Sequence, residues 1–239
     1  MELFSQLSTV DAVTLGMSAL GLFGGVVSTV ITMNAKYYED QRQLRMTVGD
    51  LTQKLLVLRG EDELLNVKAL RGEERSEEFA LAHANNLRTQ NALARLMVDA
   101  LDLLKRSASS VEYEILATTL TTNGDRSADK YWRLAMGRAR EIADRRATLV
   151  QYAYALVRFG REVEGEARFE EAMGMAIGDP VQEGYITETR GRALHAIRKA
   201  QEARAAFDKA QACYLRIPDE GTRDLCVNAL KSARATVGL

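Results

Sequence analysis

Between Asp11 and Lys36 the chain carries no charge. These 24 residues, 12–35, form the longest uncharged run in a chain of 239. As a helix rising about 1.5 Å per residue they would extend about 36 Å, more than the roughly 30 Å hydrocarbon core of a bilayer. Lys36, Tyr37 and Tyr38 close the run, and tyrosines beside a lysine suit the interfacial belt. A cleavable leader would open on basic residues, whereas "MELFSQLSTVD" carries only Glu2 and Asp11, and Met33-Asn34-Ala35 is a poor cleavage site. A buried helix of a soluble domain is the other rival, because ten of the 24 residues are Gly, Ser, Thr or Asn. Length, flanks and absence of charge predict a single membrane span over 12–35.

No basic residue precedes the span, while Lys36, Arg42, Arg45, Lys54 and Arg59 follow it. The positive-inside rule therefore predicts an extracytoplasmic N-terminus over 1–11 and a cytoplasmic C-terminal part, in the inner (plasma) membrane. Within the run Thr14, Ser18, Gly21, Gly25, Ser28 and Thr32 recur at spacings 4-3-4-3-4, and Gly24 with Ser28 repeats the small-xxx-small device of Gly21 and Gly25. Small residues on one seam let helix backbones approach closely in lipid. This predicts association, either with a second copy or with another membrane protein.

The rest of the chain reads as helix. Only two prolines occur, against many Ala, Leu, Glu and Arg, side chains that lose little freedom in a helix. Over 36–75, Leu44, Val48, Leu51, Leu55, Leu58 and Leu65 continue a 4-3 pattern and predict a coiled-coil-like stalk. Gly60 and Gly72, in a charged stretch, predict a hinge. Ser76 before Glu77 and Glu78 is an N-cap signal for a long helix over 76–108. Its expected apolar face is Ala80, Leu87, Ala94, Val98 and Leu101, with Lys105 and Arg106 at its end. His83 lies in this helix with no second ligand at useful spacing.

From 109 to 221 the sequence repeats. Phe169, Glu170, Ala172 and Pro180 return 38 residues later as Phe207, Asp208, Ala210 and Pro218, while Ala128, Trp132 and Ala135 stand 37 residues before Gly165, Phe169 and Ala172. The units read as 109–145, 146–183 and 184–221. Each is a pair of helices, the first near 111–122, 147–159 and 184–197, the second beginning near 127, 162 and 200. A small residue, an aromatic at +4 and an alanine at +7 share one helix face. A final helix over 222–239 would cap the last apolar surface.

This small–aromatic–alanine pattern, with Gly160 or Gly191 in or near the first helix, resembles the tetratricopeptide repeat (TPR). The period is longer than the family's usual length of about 34, the prolines fall three residues late, and the Leu-Gly signature of the first helix is mostly absent. The fold class is therefore all-α: a single N-terminal transmembrane helix, a helical stalk, then a TPR-like antiparallel helix-hairpin array. The resemblance implies a concave groove, lined by the first helices, that holds a partner's peptide or helix. At the corresponding positions stand Tyr113, Tyr154, Tyr185, Arg192 and His195. The lysine–asparagine clamp by which some members of the family hold a C-terminal carboxylate is not visible.

Charge is uneven along the repeats. Arg133, Arg138, Arg140, Arg145 and Arg146 belong to a basic block over 126–161, and an acidic block follows over 162–188. Either a basic face meets an acidic partner or lipid headgroups, or the blocks pair helix to helix. A net charge of −1 and little interleaving of aromatic and basic residues argue against nucleic acid. Cys213 and Cys226 make no disulfide framework. No phosphate loop, HExxH, Cys/His cluster or Gly-x-Ser-x-Gly occurs, so neither cofactor nor reaction is expected. The predicted function is a membrane-anchored protein-interaction scaffold, forming a small oligomer, or an accessory subunit of a larger membrane complex packed through its Gly/Ser-rich span.

Overall fold

In a computed structural model, residues 33, 36–62, 64–65, 77–104 and 108–238 are described. The chain divides after Thr47 into two units. In the first, residues 36–47 are helical, and Tyr37 and Tyr38 are exposed, edge to face with ring centroids 5.9 Å apart. The run 12–35 lies outside the described residues except for Met33, so the seam of Thr14, Ser18, Gly21, Gly24, Gly25, Ser28 and Thr32 does too. Among the described residues no helix is long and apolar enough to cross a membrane, and no strand occurs.

The second unit starts at Val48. Its first helix, α1 (residues 48–62), buries Val48, Leu51 and Leu55, which are stalk-pattern positions. The next helix is α2 (Glu77–Leu104). The Asn86 side-chain amide donates to the Leu58 carbonyl at 3.0 Å, and His83 Nδ1 lies 2.7 Å from the Asp62 carboxylate. Partners that climb α1 descend α2, so the two run antiparallel. Gly60 lies inside α1, while Gly72 and the rest of the expected hinge over 66–76 lie outside the described residues. One expectation is corrected: the buried face of α2 is rotated, with Ala94 and Leu101 on it, but Ala80 is exposed, and Asn86, Gln90 and Met97 are buried. The polar pair is tolerated because Gln90 Nε2 donates to Asn86 Oδ1 at 2.6 Å while Asn86 serves the α1 backbone.

Three hairpins follow, α3 (Ser110–Thr122) with α4 (Ala128–Arg138), α5 (Ile142–Arg158) with α6 (Glu162–Gly174), and α7 (Pro180–Ala196) with α8 (Ala200–Tyr214), and then α9 (Glu220–Thr236). This is a helical-repeat-like array. The repeat residues are its core: Trp132, Phe169 and Phe207 are at most 2% exposed, and Ala128, Ala135, Ala172, Ala203 and Ala210 are fully buried. At the remaining small position, Gly165, a Cβ would stand 2.9 Å from the Ala153 carbonyl oxygen, so the helix pair of the second hairpin is too close for alanine. Trp132 also donates from Nε1 to Thr121 Oγ1 at 3.0 Å. The last apolar face is covered by α9, whose Leu230 and Ala233 join Phe207, Tyr214 and Ile217 in one cluster.

The hairpin turns repeat as well. Asp125, Arg161 and Lys199 donate their backbone N–H to the carbonyls of Leu120, Leu156 and Leu194, five residues back. The residue before each donor, Gly124, Gly160 or Arg198, is left-handed, with φ of 73°, 80° and 64°. This is the 6→1 closure of a Schellman motif. Helix starts differ from the expected units. The first helices of the second and third hairpins begin at Ile142 and Pro180, several residues earlier than the repeat alignment places them. Asp179 accepts from the N–H groups of Val181 and Gln182 and Pro180 takes the first helical position, so this proline opens a helix and does not close a unit.

Candidate functional site: a groove on the first helices

The first helices α5 and α7 lie side by side. Between them is a depression of about 200 Å³ lined by Gln151, Tyr154, Tyr185, Glu188, Thr189 and Arg192. On α7 these positions are three or four apart, so one stripe of the helix supplies four of the six. Gln151 Nε2 donates to the Tyr185 hydroxyl at 2.6 Å, linking the two helices across the floor. The Arg158 guanidinium lies 5.8 Å from the centre of the Tyr154 ring, within cation–π range.

Glu188 anchors the far wall. It is 8% exposed and accepts from Arg192 Nη2 at 2.6 Å and from the Tyr214 hydroxyl at 3.0 Å. Burial and the Glu188 charge push the Tyr214 phenol far above its usual range, so it remains a neutral donor. Burial, and then Glu188, also raise the Cys226 thiol. The buried carboxylate is thus spent on holding Arg192 and Tyr214 in place. What faces outward is aromatic rings and a guanidinium, the equipment of a binding surface.

Three of the five residues expected in a groove, Tyr154, Tyr185 and Arg192, line this depression together. Tyr113 is elsewhere. It is 2% exposed and stacks on Tyr131 with centroids 6.4 Å apart. Counting back from the hairpin turns, it occupies the position of Leu149 and Thr187, both buried. His195 is half-buried on α7 outside the lining, and its Nδ1 has no partner among the described residues. Gln151, Glu188 and Thr189 were not anticipated, although Glu188 and Arg192 stand at the i, i+4 spacing of a helical ion pair.

Several arginines of the basic block are paired. Arg133 pairs with Asp129 at 3.0 Å, Arg145 with Glu171 at 3.4 Å, and Arg146 donates to the Met175 carbonyl at 3.3 Å. Arg138 is half-buried at the end of α4, and Arg140 is exposed in the following connection. Asp129 gathers three donors: Tyr152 and Arg161 at 2.7 Å each, and Arg133. Burial alone would push the Asp129 carboxyl above its ordinary pKa, but the bonds from Tyr152 and Arg161 and the charges of Arg161 and Arg133 outweigh that and hold it below the usual carboxylate range. Acidic-block residues reach outward in turn, Glu166 to Arg190 at 2.8 Å and Glu164 to Arg161 at 2.6 Å. Among the described residues no group of three or more His, Cys, Asp or Glu is placed to hold a metal ion.

Comparison with protein families, with curated proteins and with solved structures finds no match to this chain.

Proposed function

We propose that this chain is a membrane-anchored scaffold that presents a TPR-like array to the cytoplasm and binds a protein partner in the groove between α5 and α7. The observation that carries the reading is the convergence of Tyr154, Tyr185 and Arg192 on one depression of the first helices. Tyrosine offers large contact area at low entropic cost, and arginine is similarly enriched where binding energy concentrates. The prearranged bonds Gln151–Tyr185 and Glu188–Arg192 reduce the ordering cost of association. The uncharged run over 12–35 and the lysines and arginines after it support the anchor and its orientation.

A second reading, an accessory subunit of a membrane complex, is favoured by the 4-3-4-3-4 seam of small residues from Thr14 to Thr32. The two are separated by affinity purification of the full-length chain beside one lacking residues 1–35. Partners retained by both forms support the scaffold. Partners that need residues 1–35, and are lost with Gly21→Ile and Gly25→Ile, support the accessory subunit.

A further inference from the structure

A second cleft, of about 420 Å³, opens between α4 and α6, distinct from the groove. Arg133 and Met136 of α4, Arg145, Tyr152 and Leu156 of α5, and Glu164 and Arg168 of α6 line it. Three guanidinium groups from three helices therefore surround a floor of Met136, Leu156 and Tyr152. All three are accessible, with side chains 63%, 48% and 47% exposed for Arg133, Arg145 and Arg168. Their ion pairs leave them donors to spare: Arg133 meets Asp129 through Nε, Arg145 meets Glu171 through Nη2, and Arg168 meets Glu171 through Nη1 at 2.7 Å. Each guanidinium carries five N–H donors. The lining sums to two positive charges, and it stays positive by one when the partners Asp129, Glu171 and Arg161 are included.

The repeat itself supplies the control. In the next junction the positions of Met136, Leu156 and Glu164 are held by Met173, Leu194 and Glu202, of the same residue types. Those of Arg133, Arg145 and Arg168 are held by Glu170, Glu183 and Ala206. Packing one hairpin on the next thus retains Met, Leu and Glu at three lining positions and puts Arg190 at that of Tyr152, but has no need of arginine at those of Arg133, Arg145 and Arg168. We propose that the cleft between α4 and α6 is a binding site for a phosphate monoester, held by Arg133, Arg145 and Arg168. A dianion of about −2 matches the charge of the lining, and its three terminal oxygens can each take a guanidinium from a different helix, whereas one carboxylate is satisfied by one fork. The carbon beside the ester oxygen rests on Met136, Leu156 and the Tyr152 ring.

The test is calorimetric titration of the full-length chain, in an uncharged detergent at low salt, with glycerol 3-phosphate and with a phosphoserine tripeptide; glycerol and the serine tripeptide are controls. Both phosphates bind and neither control does; Arg145→Glu with Arg168→Ala, copying the next junction, weakens binding at least about tenfold. Arg168→Lys, which keeps the charge and loses the fork, weakens it about threefold or more, and decides the matter if the double variant loses its circular dichroism. Arg138→Ala, outside the cleft, leaves binding unchanged. A peptide bound tenfold tighter than glycerol 3-phosphate identifies a phosphorylated side chain as the source, and equal affinities identify a free phosphate ester. The proposal is overturned if neither phosphate binds, if the double variant binds as well as the parent, or if Arg138→Ala costs as much as Arg168→Lys.

Discussion

Arg198 stands where Gly160 stands one repeat earlier, and it adopts the same left-handed backbone, φ 64° against 80°. Both residues precede the donor that closes a hairpin turn, Lys199 to Leu194 and Arg161 to Leu156. A side chain in this region costs about 1–2 kcal/mol, because Cβ crowds the following carbonyl, while glycine enters it freely. Arg198→Gly is therefore expected to stabilise the fold by about 1 kcal/mol, and Gly160→Ala to destabilise it by a similar amount. Urea unfolding followed by circular dichroism reads both; a loss of stability in Arg198→Gly would show that the arginine side chain does more than occupy the turn.

Gly184 faces the ring of Tyr214. A Cβ there would lie 2.9 Å from the ring Cζ and closer still to its Cδ1 and Cε1, and the ring is pinned by its hydroxyl on Glu188. Gly184→Ala should cost about 1–3 kcal/mol through overpacking, despite the gain in helix propensity. At Gly137, inside α4, an added Cβ would meet nothing within 4 Å, so Gly137→Ala should stabilise by about 0.5–1 kcal/mol. Thermal melts of the pair should move in opposite directions.

Burial holds the Glu114 carboxyl above its usual range, the nearby Asp144 charge adds to the effect, and the Thr148 hydroxyl partly offsets it. An acid whose folded value is raised binds its proton more tightly when folded, so its penalty is absent below the unfolded value of about 4.3 and develops as pH rises through the folded value. Glu114→Gln should melt higher than the parent at pH 7 and match it near pH 4. Equal melting points at pH 7 would refute the burial penalty.

Asp129 behaves in the opposite sense. Its lowered folded value contributes stability above the unfolded value of about 3.9, and this is lost as pH falls through the folded value. Asp129→Asn should cost about 1–3 kcal/mol at pH 7 by weakening the bonds from Tyr152, Arg161 and Arg133, with the difference shrinking as pH falls through the folded value. A difference independent of pH would assign the loss to shape and not to charge.

The second helix of each hairpin was legible because its small residue, aromatic and alanine all have to face one neighbour, and every one of them is buried. The starts of α5 and α7 were not, because Pro180 terminates a unit by pattern but opens a helix once Asp179 caps it. Buried polar residues were the other blind spot. Asn86 and Gln90 occupy core positions of α2, and Glu188 looked like part of a solvated acidic block, because residue type hides a hydrogen-bond partner supplied from another helix. Three of the six groove residues, Tyr154, Tyr185 and Arg192, stand at positions that the repeat resemblance implies. Tyr113 failed because it sits at an inward position of the repeat, where its neighbour Tyr131 receives it.

The proposed occupancy of the groove at Tyr185 by a protein partner is tested by photo-crosslinking in living cells. A benzophenone amino acid replaces Tyr185 in one full-length chain and Val163, 85% exposed on α6, in another. One discrete crosslinked protein is expected from position 185, absent from position 163 and diminished by Arg192→Ala. No adduct at 185, or the same adducts from both positions, would contradict it.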